Sequence, residues 1–182
     1  MAKRSNGVDL GALTAAQAVT VAVAAICRHH AELPPECRLA LDAALAWASE
    51  PTQERANAAH RAYLRGATRA RRAKSPLGWA AAHAALAASC CDSSGRDPVW
   101  VRHAELCDRH DAEAARHWAR QALRLVAVAI PSYPDRLDEE YAQRSDGLAL
   151  ARGEALRVVP PEPAPAEPDV DDWDDDLESD VG

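Results

Sequence analysis

Apolar side chains recur along this chain with the three-to-four-residue period of an α-helix, in blocks divided by prolines and polar caps. Thr14-Ala15-Ala16-Gln17 has the form of a capping box, in which the Thr oxygen and the Gln side chain answer unpaired amides. It predicts a helix to about Glu32, stopped by Pro34-Pro35. A second helix starts at those prolines and carries Leu39, Leu41, Leu45 and Trp47, and Ser49-Glu50-Pro51 resets the chain. A third runs from about Thr52 to Ala73, and Ser75-Pro76 opens a fourth that holds Trp79, His83 and Leu86. After the Asp92-Ser93-Ser94-Gly95 break, Asp97-Pro98 begins the longest pattern, ending before Pro131 with a bend around Asp108 to Asp111. A short last helix is expected from Tyr133 to about Arg144, before Gly147.

Composition reinforces the helical reading. Alanine supplies roughly a quarter of the residues, far above its usual share, and it has the highest helix propensity. Only 4% of the chain is aromatic and Phe is absent, so little is left to build a sheet. The expected fold is therefore all-α: an antiparallel helical bundle of five or six helices over residues 13–157. A flexible N-terminus, residues 1–12, would precede it, and a Pro-rich, acidic, disordered C-terminal tail, residues 158–182, would follow. Trp47, Trp79, Trp100 and Trp118 are the bulky pieces available to fill gaps between alanine-lined helices.

Charge divides the chain in two. Ten acids and no basic residue fall in residues 158–182, so the chain's −7 leaves residues 1–157 at +3. Within the third helix Arg61, Arg65, Arg69 and Arg72 step by four, four and three and so line one face. Like charges at that spacing repel by a few tenths of a kcal/mol per pair, and the row would be more comfortable beside acids from elsewhere. A solvated face is the plainest reading; a docking strip for an acidic partner or for the chain's own tail is the sharper one. Nucleic acid is disfavoured, because the whole chain is acidic and few aromatics interleave with the arginines. In the tail, Val170, Trp173, Leu177 and Val181 step by three, four and four, a narrow apolar stripe within an acidic segment. Such an arm can fold into a groove on a partner, with Trp173 as anchor.

Several classes drop out. The apolar run Ala15 to Ile26 is too short and too polar to span a bilayer, and Asp9 together with the missing small-residue cleavage site argues against a secretory signal. Five cysteines, an odd count without framework spacing, suit a reducing cytoplasm. Gly-rich phosphate loops, GxSxG and HExxH are all missing from the sequence, and Cys27 with His29 or His30 pairs only in the linear sequence. No enzymatic activity and no cofactor are therefore expected. His103, Cys107 and His110 fall at i, i+4 and i+7, with His117 seven further on, a spacing that can bind zinc if a neighbouring helix adds ligands. The adjacent pair Cys90-Cys91 does not form a CxxC knuckle, so buried Cys and boundary His are the default.

The stretch from Cys37 to about Ala88 has an R-x-A-L-x-A-A-x-A-W helix, with Arg38 and Trp47. A short break, the run Ala58-Ala59-His60-Arg61-Ala62, and then Ala81-Ala82-His83-Ala84 follow. It resembles the all-helical immunity proteins encoded beside polymorphic toxins in bacteria. The Cys90-Cys91 step, the Ser94-Gly95 break and the acidic tail fall outside that pattern. The resemblance implies a small cytoplasmic antidote that neutralises a toxin by binding it, with a protein partner and no catalysis. Two other roles fit the residues alone. One is a regulatory or scaffold module acting through its Trp-containing tail or its Arg-rich face, and the other a metal-binding helical protein.

Overall fold

Six α-helices and three short 3-10 turns form the elements of this computed structural model, which describes residues 8–90, 112–156 and 158. The helices are α1 (Ala15–Arg28), α2 (Arg38–Ser49), α3 (Gln53–Ala73), α4 (Pro76–Ser89), α5 (Ala112–Ala129) and α6 (Tyr133–Ala151). The described residues contain no strand, and the all-α antiparallel bundle is as expected.

Local chemistry explains most of the boundaries. At α1 the Thr14 side chain accepts from the Gln17 amide and the Gln17 side chain accepts from the Thr14 amide, a complete capping box. Thr52 caps α3 and Ser75 caps α4, with Pro76 at the first helical turn. Between α3 and α4 the chain reverses on one residue. Lys74 adopts the left-handed conformation (φ 50°), and the Ser75 amide donates back to the Ala70 carbonyl, a Schellman-type stop.

Helix α4 sits at the centre. Eleven of its fourteen residues are buried, so it is apolar nearly all round, as a helix enclosed by others must be. It packs against α3, α5, α2 and α1. Mostly alanines line these contacts, and two glycines let backbones approach more closely still. A Cβ on Gly66 of α3 would stand 2.9 Å from the Ala40 Cβ of α2, and one on Gly78 of α4 would stand 2.8 Å from the Cys37 sulfur. Around this seam, Val19, Val21, Val23, Ile26, Leu41, Trp47, Leu77 and Val126 complete the core.

The structure departs from expectation at four places. α1 ends at Arg28, and His30–Glu32 is a 3-10 turn instead of more α-helix. The lead-in is not loose through Ala12, because Leu10 is fully buried in a short 3-10 turn capped by Asp9. α6 runs past Arg144 to Ala151, since Gly147 serves close approach and not termination: a Cβ there would lie 2.7 Å from Val8 Cγ1. Val158, placed in the tail by the charge boundary, is partly buried against the core. Of the long pattern expected from Asp97, Ala112–Ala129 is described as α5, and Trp100 lies outside the described residues.

α6 is held mainly by polar contacts. Its buried residues are Glu139, Gln143, Gly147 and Leu150. Arg28 of α1 donates from Nε and Nη2 to Glu139 at 3.0 and 2.8 Å and from Nη1 to Asp146 at 2.7 Å. His29 Nε2 lies 2.9 Å from Glu139, and Gln143 donates to the same carboxylate at 3.0 Å. At the other end Gln17 donates to the Leu150 carbonyl at 2.9 Å, so α1 and α6 are clamped antiparallel at both ends. Burial pushes the Glu139 carboxyl up, but hydrogen bonds and charge from Arg28, with His29 and Gln143, outweigh that and hold it below its ordinary value.

Two predictions follow from this packing. Gly66→Ala gains about 1 kcal/mol of helix propensity but overpacks against Ala40 by about 1–3 kcal/mol, so urea unfolding should show a net loss. Glu139, depressed in the folded state, stabilises fully above the ordinary glutamate pKa of about 4.3, and that contribution disappears as pH falls through its lower folded value. Glu139→Gln should therefore cost about 1–3 kcal/mol at neutral pH and flatten the acid limb of a stability-versus-pH curve.

Candidate interaction surfaces

α3 buries His60 and the small residues Ala56, Ala59, Ala62, Gly66 and Ala70, and turns most of its long cations outward. Arg61, Arg65 and Arg72 are exposed along one side, with Arg71 and Lys74 exposed beside them near the helix end. Arg65, Arg71 and Arg72 have no acidic partner among the described residues. Arg69 differs from the rest of the row: it is half-buried and donates from Nη1 to the Glu36 carbonyl at 2.9 Å, tying α3 to the turn before α2. Arg55 closes the other end with an ion pair to Glu50 and a hydrogen bond to the Ala46 carbonyl. The cationic side is thus carried on a helix pinned at both ends, and Arg71 and Arg72 complement the negative end of its dipole.

The buried helix α4 has one open strip. Pro76, Trp79 and His83 are its only half-buried positions, spaced three and four apart. The His83 ring stacks at an angle between Trp79 (centroids 5.8 Å apart) and Trp118 of α5 (5.1 Å), and His117 meets Trp118 edge-on at 5.1 Å. Trp47 is core, as expected, and Trp79 and Trp118 are half-buried, packed against the core, and wall this strip. Burial first, and the nearby His117 second, lower the His83 pKa to about 4. The neutral imidazole is therefore the folded form, and its Nδ1 is enclosed without a hydrogen-bond partner among the described residues.

α6 presents the reverse of ordinary amphipathicity. Tyr133, Leu137, Tyr141 and Leu148 are 67%, 42%, 77% and 51% exposed, while Glu139 and Gln143 face inward. Ending this helix at Arg144 concealed the row, although its spacing of four, four and seven is present in the sequence.

The remaining candidates divide by location. Val170, Trp173 and Leu177 of the tail, and His103, Cys107 and His110, lie outside the described residues. Among the described residues no group of three or more His, Cys, Asp or Glu side chains could hold a metal, and no helix is long and apolar enough to cross a membrane. Burial pushes the Cys27 thiol up to about 11, the opposite of an activated nucleophile. His29 turns to Glu139, and His30 Nδ1 lies 2.8 Å from the Cys27 carbonyl oxygen. No family model, curated protein or solved structure matches this chain.

The His83 environment has a measurable signature. A depressed folded pKa means full stabilisation above the ordinary histidine value of about 6.5, lost as pH falls through about 4. The urea midpoint should drop across that window, and His83→Gln should remove most of the drop; an unchanged slope would place its origin elsewhere.

Proposed function

We propose that this chain is a non-enzymatic binding protein that inhibits an acidic protein partner, in the manner of a toxin-neutralising immunity protein. One observation carries the reading: Arg61, Arg65 and Arg72 are exposed along a 21-residue helix whose ends are fixed by Arg55 and Arg69. A row of guanidinium groups on a fixed helix suits carboxylate recognition, because each planar fork can bind in bidentate fashion. Long-range attraction of this kind chiefly raises the association rate and weakens with salt. The similarity of residues 37–88 to immunity-protein helices points the same way, since α2, α3 and α4 make up that stretch.

The reading expects a toxin-like reading frame beside the gene, and the test is co-expression with the product of that frame. The chain should restore growth and co-purify with that product. Substituting Arg61, Arg65 and Arg72 together by Glu should lower affinity at least about tenfold with helical circular dichroism unchanged. Absence of rescue counts against the inhibitory role, and full affinity in the triple variant counts against the α3 face.

A further inference from the structure

An α-helix at the edge of a bundle normally buries its apolar stripe and shows polar residues to water. α6 does the opposite. Its inward row is Glu139, Gln143, Gly147 and Leu150, and its exposed large apolar residues are Tyr133, Leu137, Tyr141 and Leu148. At 100° per residue these four fall within an arc of about 80°, centred roughly 120° around the helix from the buried row. Arg144 lies in the same outward row, and Arg152, the residue that caps the helix, follows it with an ion pair to Glu154 at 3.6 Å. The fold does not need this face apolar. It obtains its hold on α6 from Arg28, Gln17 and the Glu139 carboxylate.

We propose that this face of α6 pairs with the same face of a second copy of the chain, the two helices running antiparallel about a two-fold axis. The row is self-complementary in that arrangement, as a two-fold interface requires. With the axis between Ala142 and Gln143, Leu137 comes level with Leu148 of the second copy. Tyr141 comes level with Arg144 of the second copy, and Tyr133 with Arg152 of the second copy, so each exposed ring is offered a guanidinium. Glu140 stands one position from Arg144 of the second copy, an opposite-charge pair. The two Asp138 residues are nine positions apart along the axis, roughly 13 Å, and the two Glu140 residues five, roughly 7.5 Å, each Glu140 nearer to Arg144 of the second copy than to the other glutamate. A two-helix contact of this length is small for a protein interface, which points to a reversible, micromolar dimer instead of an obligate one.

The chain's own acidic tail is the other occupant within reach. α6 carries five acids against two basic residues, Arg136 and Arg144, so ten further acids are better accommodated by the cationic side of α3. The inference does not depend on the inhibitory reading, because the α6 row and the α3 row belong to different helices.

Sedimentation equilibrium of the full chain across about 1 to 200 µM, a range that brackets a micromolar constant, tests it. A monomer–dimer equilibrium is expected. Leu137→Asp with Tyr141→Asp should weaken it at least about a hundredfold without loss of helical signal. Arg144→Glu should weaken it about tenfold, whereas Arg120→Glu on α5, as control, should leave it unchanged. A monomer at every concentration overturns the proposal, as does a dimer indifferent to the Leu137 and Tyr141 substitutions. If the wild type is monomeric but Trp173→Ala with Leu177→Ala makes it dimerise, the tail occupies the row instead. A dimer unaffected by those tail substitutions supports the pairing.

Discussion

Close approach of alanine-faced helices is the constraint on which this bundle rests. With few large side chains available, an enclosed core can form only if backbones come near enough for Cβ atoms and short side chains to touch. α4 meets that condition against four neighbours, with Gly66 and Gly78 placed where even a methyl group would collide with Ala40 or Cys37. The larger residues, Trp47, Leu41, Ile26 and Leu77, then close the seams. A core of this kind has little slack at these two points, where an added methyl group meets the short Ala40 and Cys37 side chains.

The same economy explains the arrangement of polar groups. α3 can turn a row of arginines to water because its packing face is made mostly of Ala and Gly, with His60 the one large side chain buried there. α6 lies outside the alanine seam and is secured by a charged network, in which the half-exposed Arg28 compensates the buried Glu139 carboxylate by a bidentate contact. Removing one partner of such a pair costs more than the pair itself contributes, since the other charge stays buried. The network therefore specifies where α6 sits more than it adds to net stability, and it leaves the apolar side of α6 turned to solvent.

Helix starts were legible in the sequence because their chemistry is local: Thr14 with Gln17, Thr52, and Ser75 with Pro76 declare themselves within four residues. Helix ends were less so. α1 stops at Arg28, where Arg28 and His29 bind Glu139 over a hundred residues away, a contact that no local residue announces. Gly147 looked like a terminator and is instead a contact point for Val8 and Leu13. The α3 arginine row was visible as spacing, but that Arg69 would leave it for the Glu36 carbonyl was not, because that bond joins residues 33 apart. The stacking of His83 between Trp79 and Trp118 likewise needs two helices to be brought together before it exists.

The buried thiols carry a different consequence. Cys27 and Cys37 both have their pKa pushed up to about 11 by burial, and the Cys37 sulfur lies in the notch that Gly78 leaves open. At neutral pH only about one such thiol in ten thousand is ionised, so alkylating reagents find almost nothing to attack while the seam is shut. Modification of Cys37 must wait for the turn before α2 to lift away from α4. Its rate under native conditions is therefore a built-in clock for local opening of the alanine seam, recorded by an atom already in place.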